Sequence, residues 1–238
     1  MVINCHRYAS SGFLAGFSGA KHIAGFKQNP FSFLFNYTAY HRIGDGTHEV
    51  ERYNQLIEDF SDKNIFKPKL YPSTADYNKI KQYTIGDYVC MAPASVWFTK
   101  QLPKEKWVEL CNKIDLNISV YLLGAATDKD LCEEIKQRSN HKNITVLCGE
   151  LNLLQSCALM EKAGMNYVND SAPLHLASSV NAPVTAFFCS TVPQFGFGPL
   201  SDKRTIIQVE GLNCKPCGLH GFKQCPLGHF KCGHLVQL

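Results

Sequence analysis

An α/β fold with a parallel sheet follows from three features of the 238-residue sequence. The later part of the chain carries a series of strand-length runs that are apolar throughout rather than alternating. Amphipathic helical segments separate these runs. Each run ends in a short loop of small, polar or turn-forming residues. A strand that is apolar along its whole length needs cover on both faces, and in an open sheet helices supply it.

The elements read in order from Asp87. YVCMAP (88–93) is the first buried strand. A helix is expected from about Pro103, with Trp107, Val108, Leu110 and Cys111 on its apolar face. Proline suits that start because its missing N–H needs no partner there. ISVYLLG (118–124) is the second strand, closed by Gly124. Asp128 begins the helix DKDLCEEIKQR, whose acids come early and bases late, matching the helix dipole. ITVLCG (144–149), MNYVND (165–170) and PVTAFF (183–188) are the remaining strands. The helices between them are NLLQSCALMEKA (152–163), with Leu153, Cys157, Leu159 and Met160 inward, and PLHLASSV (173–180). This alternation is Rossmann-like.

The first part is less regular. VINCH is a short strand and TAYHRI (38–43) a candidate one. THEVERYNQLIEDF (47–60) is a helix with Thr47 as N-cap and Val50, Tyr53, Leu56, Ile57 and Phe60 on one face. Asp62 to Tyr83, with Pro68 and Pro72, reads as a linker. Two domains are therefore expected, a partial one with its linker over 1–82 and a complete one over 83–238.

Composition excludes several classes. Hydrophobic residues make up 45% and charged residues 18%, enough apolar content for a core and against disorder. No apolar run approaches the roughly 20 residues of a membrane helix. The start lacks a signal peptide's apolar core, so a cytoplasmic protein is expected. The net charge of +4 belongs to residues 1–44, which hold Arg7, Lys21, Lys27 and Arg42 and no acid. That suits an anionic partner or bilayer surface. Nucleic acid is not expected, because the excess is modest and no nucleic-acid motif accompanies it. Of eleven cysteines, Cys90, Cys111, Cys132, Cys148, Cys157 and Cys189 fall in apolar segments and read as buried thiols of a reducing compartment.

Three constellations bear chemistry. PASVWFTKQLP (93–103) joins a strand to a helix, where ligands of doubly wound sheets bind and backbone N–H groups attract phosphate. Ser95, Thr99 and Lys100 add hydroxyls and a fixed cation there. NDSAPLHLASS (169–179) repeats the arrangement with Asp170, Ser171 and His175. Asp170 reads either as a helix N-cap or as a ligand of a nucleotide-sugar, and His175 either as a core histidine or as part of the site. The tail has C-x2-C-x7-C-x6-C spacing. Thiolates two residues apart suit tetrahedral zinc. The second pair lacks that spacing, so the expectation is no metal, with zinc on Cys214, Cys217, Cys225 and Cys232 as the alternative.

PASVWFTKQLPKEKWVEL, YLLGAATDKD, CGELNLLQ, NDSAPLHLASSVNAPVTAFF and CKPCGLHGFKQCPLGHFKC together resemble glycosyltransferase family 9, the ADP-heptose:lipopolysaccharide heptosyltransferases. NPFSFLFNYTAYHRIGDGTHEVERYNQL resembles the later part of that family's N-terminal domain. The resemblance implies a GT-B fold of two Rossmann-like domains, the first on the acceptor side and the second binding the ADP-sugar. It implies an inverting transfer of heptose to a lipopolysaccharide core acceptor at the inner-membrane surface, without a metal cofactor. Thr99 and Lys100 would then grip the diphosphate, Asp170, Ser171 and His175 would border the donor, and Gly149 and Glu150 would be further donor-site candidates. Family members open with a strand and a Gly-rich turn closely followed by an Asp, the expected base. VINCHRYASS resembles a strand well inside that domain, so the opening strands and that Asp are expected to be missing and transfer to be impaired. No substitute base is assigned: Asp45 and Glu49 lie in a plausible loop and helix start, where capping explains them as well. The competing readings are a non-catalytic nucleotide-sugar-binding remnant and a zinc-stabilised interaction module.

Overall fold

The computed structural model describes residues 1–238, which form two compact units. Met1–Lys67 with Pro193–Gly198 make the first, and Pro68–Val192 with Pro199–Leu238 the second.

The first unit is a three-stranded parallel sheet in the order β1 (Val2–Asn4), β2 (Ile23–Phe26), β3 (Tyr37–Ala39), with α1 (Ala9–Gly16) joining β1 to β2. Its apolar clusters are small. Ala15, Ile23 and Phe35 form one, and Phe26, Ala39 and Leu56 the other. The helix expected over 47–60 is shorter, α2 (Glu49–Gln55). Its cap is His48 rather than Thr47. The His48 ring accepts from Val50 N at 3.2 Å, and the Glu51 carboxylate accepts from His48 N at 2.9 Å. The expected apolar face is also only partly realised, because Leu56 is buried while Tyr53 and Phe60 are exposed.

The second unit starts earlier than the expected boundary at residue 82. Within the supposed linker, Ser73 and Asp76 cap α3 (Thr74–Ile80) reciprocally. Tyr77 Oη donates to Glu161 at 2.6 Å, which ties α3 to the helix over Leu153–Lys162. Ile80 joins the core beneath the large sheet. The two prolines lie ahead of this helix and do not interrupt it.

The large sheet contains β4 (Tyr88–Ala92), β5 (Ser119–Leu122), β6 (Ile144–Val146), β7 (Met165–Asn169), β8 (Val184–Phe188) and β9 (Arg204–Gln208), all parallel, in the order β6-β5-β4-β7-β8-β9. The helices are α4 (Lys104–Lys113), α5 (Lys129–Arg138), α6 (Leu153–Lys162), α7 (Ala172–Ser179) and α8 (Lys231–His234). Two apolar clusters account for the wholly buried β4 and β8. One, containing Cys90, Leu159 and Phe188, joins α3, α6 and α7 to the sheet. The other, containing Met91, Trp107, Leu122 and Phe187, joins α4, α5 and the tail. Leu153 departs from its expected inward face and is exposed, whereas Cys157, Leu159 and Met160 are buried. The six cysteines read as buried thiols are buried. Burial pushes the Cys111 thiol up to about 11. No helix is long and apolar enough to cross a membrane.

Candidate functional site

Strand order decides where the second unit can bind. β4 enters the sheet first, the chain then builds outward through β5 and β6, and β7 returns to the other side of β4. Ligands of such sheets bind at the carboxyl ends of the strands flanking that reversal. The loop after β4 is Pro93–Pro103, and the turn after β7 is Asp170–Ser171. Two segments separated by about seventy residues therefore meet at one sheet edge.

Lys100 Nζ lies 2.8 Å from Asp170 Oδ2, with the side chains 17% and 7% exposed. Thr191 Oγ1, from the loop after β8, donates to the same oxygen at 2.6 Å. Ser171, not Asp170, occupies the N-cap of α7, and it makes no side-chain cap bond. The capping role for Asp170 is thus replaced by an ion pair. Pro173 sits in the first turn of α7, where its missing N–H has no partner to lose.

Thr99 sits on the inner side of the same loop. Its side chain is buried, and its hydroxyl accepts from Phe222 N at 2.8 Å and from Ser190 Oγ at 3.0 Å. These bonds tie the Lys100 loop to the tail and to the loop after β8. The Ser95 carbonyl accepts from Gln101 Nε2 at 2.6 Å, bracing the same loop. Ser171 is half-buried and His175 exposed on the first turns of α7. Gly149 and Glu150 follow β6, two strands from β4, and are exposed. Gly149 has φ of 78°, and a Cβ there would come within 2.9 Å of Ala126 Cβ, so the turn requires glycine.

Asn169 carries a role that residue reading missed. It is fully buried, its amide donates to Pro93 O at 2.7 Å, and its Oδ1 accepts from Leu102 N at 2.9 Å. One side chain at the end of β7 thereby fixes both ends of the Lys100 loop. A buried Asn at a strand end was the available signal, but its partners lie in a distant segment.

In the first unit, the two acids named as candidates divide. Glu49 has both oxygens engaged: Oε2 accepts from Arg52 at 2.6 Å and Oε1 lies 2.7 Å from His41 Nε2. Arg52, 1% exposed, also donates to Thr47 O at 2.6 Å and Phe195 O at 2.7 Å. This buried network holds Glu49 in a structural role. Asp45 is exposed, and the Thr47 amide holds its carboxyl below the usual range. It lines a cleft of about 370 Å3 with Tyr40, Arg42 and Arg52 at the carboxyl end of β3.

Of the six phenylalanines in residues 13–35, Phe26 and Phe35 are buried. Phe13, Phe17 and Phe33 are exposed. Phe13 contacts Phe17 and Phe31, and Phe31 contacts Phe33, at centroid distances of 4.7, 5.9 and 6.1 Å, so they form one patch.

Comparison with known proteins gives the family. The chain is 34% identical over 117 residues to lipooligosaccharide heptosyltransferase 2 of Haemophilus influenzae, covering 47% of this chain and 34% of that protein. It is 27% identical over 177 residues to lipopolysaccharide heptosyltransferase 2 of Escherichia coli, covering 67% of this chain and 51% of that protein. These matches span a third to a half of the curated relatives' length. The solved E. coli ADP-heptose lipopolysaccharide heptosyltransferase II superposes with a TM-score of 0.73 at 23% identity, over 90% of this chain and 72% of that one. That likeness extends to the fold. The family model for glycosyltransferase family 9 (heptosyltransferase) matches residues 1–229, spanning both units and the sheet edge that carries Lys100 and Asp170, and the chain therefore belongs to glycosyltransferase family 9.

Proposed function

We propose that the chain serves heptose transfer from an ADP-sugar to a lipopolysaccharide core acceptor, and that its second unit binds the donor. The observation that carries this is the Lys100–Asp170 pair at the strand-order reversal. There a half-buried cation and the N-terminus of α7 meet the departing diphosphate. In the displacement, the bond from the sugar's anomeric carbon to the diphosphate oxygen breaks. A bond to the acceptor hydroxyl oxygen forms, and the hydroxyl proton passes to a base or to water. The negative charge collects on ADP, and fixed donors aimed at such charge contribute about 3 kcal/mol each.

The first unit supports the acceptor side of the reading. Arg42, exposed in the β3 cleft, suits the anionic groups of a core sugar. The exposed Phe13–Phe17–Phe33 face, on an acid-free basic stretch, suits an anionic bilayer carrying a lipid acceptor. A second reading, donor binding without transfer, is favoured by the engagement of Glu49 with Arg52 and His41. One experiment separates them: calorimetric titration of ADP-heptose together with ADP release in the presence of a lipid A–Kdo-type acceptor. Binding with turnover supports transfer, binding alone supports the second reading, and no binding refutes both.

A further inference from the structure

Lys100 carries a long, flexible side chain, yet that side chain is largely out of solvent with its Nζ beside Asp170. A lysine held in one arrangement has already lost rotamer freedom, and a ligand that meets it ordered does not bear that cost. Asp170 fixes the tip of the side chain. The stem meets the tail. Between β9 and α8 the chain runs from Val209 to Phe230 without a helix or strand, and within this stretch one turn, Gly221–Phe222, bears on the Lys100 loop.

Phe222 N donates to Thr99 Oγ1 at 2.8 Å and Thr99 N donates to Phe222 O at 3.1 Å, a two-point contact with the residue before the lysine. Gly221 is buried, with φ of 79°. A Cβ there would lie 2.9 Å from Lys100 Cγ, 3.1 Å from Thr99 Oγ1 and 3.2 Å from Trp97 Cβ. The backbone thus lies against the lysine stem with no room for a side chain, in a conformation that glycine adopts readily. The turn is anchored in its own right. Cys217 N donates to Ser190 O at 3.0 Å, Ser190 N to Thr99 O at 3.1 Å and Ser190 Oγ to Thr99 Oγ1 at 3.0 Å. The next residue, Thr191, donates to Asp170. The tail, the Lys100 loop and Asp170 are therefore linked through Ser190 and Thr191.

We propose that Gly221 and Phe222 are positioning residues for the Lys100 ammonium. Phe222 pins the backbone at Thr99, and Gly221 lies against the lysine stem. Together they narrow the places open to Nζ to the one beside Asp170, at the strand-order reversal. Both residues act through Lys100. The consequence for a donor diphosphate rests on the function proposed above; the ordering of Lys100 in the ligand-free protein does not.

The test introduces the excluded methyl group as Gly221→Ala in the full chain and takes two readouts. The first uses no ligand: competitive acetylation of amines, read by peptide mass, with the exposed Lys129 as internal reference. Labelling of Lys100 should rise about threefold or more once its stem is displaced. The second is calorimetric titration of ADP, whose affinity should fall about three- to tenfold, the worth of one ordered side chain. In the Lys100→Ala/Asp170→Asn background the same glycine change should cost nothing further, a coupling that general loosening of the tail does not produce. Thr99→Val keeps the side chain's shape but removes the acceptor for Phe222 N, and it carries both readouts if Gly221→Ala does not fold. Unchanged acetylation of Lys100 overturns the proposal. So does an ADP affinity that the substitution leaves unchanged, or an affinity loss that persists without Lys100. If acetylation rises as expected while ADP binds neither wild type nor variant, the positioning role stands and the donor assignment falls.

Discussion

Lys100→Ala is expected to weaken ADP binding by more than one lost contact. A charge-assisted bond to phosphate contributes about 1.5–3 kcal/mol. In this structure the lysine also neutralises Asp170, from 2.8 Å away and largely out of solvent. Once it is removed, the Asp170 carboxylate keeps the neutral Thr191 hydroxyl and faces the incoming diphosphate. Two unit charges about 6 Å apart at an effective dielectric constant near 20 repel by about 3 kcal/mol. The sum corresponds to a loss of roughly a thousandfold or more in affinity. The double variant Lys100→Ala/Asp170→Asn removes the repulsion and should return to a loss of about ten- to a hundredfold. Calorimetric titration of ADP into wild type, the single variant and the double variant reads this directly, with circular-dichroism melts confirming that each is folded. Equal dissociation constants for wild type and Lys100→Ala, or a double variant no tighter than the single, would refute the reasoning.

Three further outcomes follow from the same structure. Glu49→Gln strips the buried Arg52 guanidinium of its anionic partner and should destabilise the first unit by about 3–5 kcal/mol; unchanged amide exchange at Glu49 and Gly46, which donate to Gly196 O and Gln194 O, would count against it. Asn169→Ala frees both ends of the Lys100 loop and leaves Leu102 N–H buried, a cost of about 1–3 kcal/mol that a melt would register, with ADP affinity falling alongside. Binding to anionic vesicles should weaken as salt rises and fall in Phe13→Ser/Phe17→Ser; salt-independent binding would assign the attraction to aromatics alone, and no binding would remove the membrane assignment.

The architecture of the second unit was legible because its signals are local. Apolar runs such as YVCMA need cover on both faces whatever their neighbours, and capping and dipole patterns mark the helices between them. β9 escaped because it is an edge strand with Arg204 and Thr205 exposed, so burial imposes no apolar pattern on it. The buried face of α2 was misread because its buried side chain is an arginine. Periodicity of apolar residues marked the helix but cannot reveal a buried charge, since the partners satisfying that charge come from Thr47, Glu49 and the distant Phe195.

The site divides along the same line. The residue types at the strand ends were determined by the sequence: a lysine and hydroxyls after β4, a carboxylate after β7, thiols in the tail. Their partnerships were decided by the tertiary structure. Thr99 became a strut for Phe222, Asp170 an ion-pair partner rather than a cap, and Glu49 a member of a buried network rather than a free base. Local sequence fixes backbone preference and periodicity, which act over a few residues. The strand order that sets β7 beside β4 is a long-range result of packing, and it alone brings Lys100 and Asp170 within 2.8 Å.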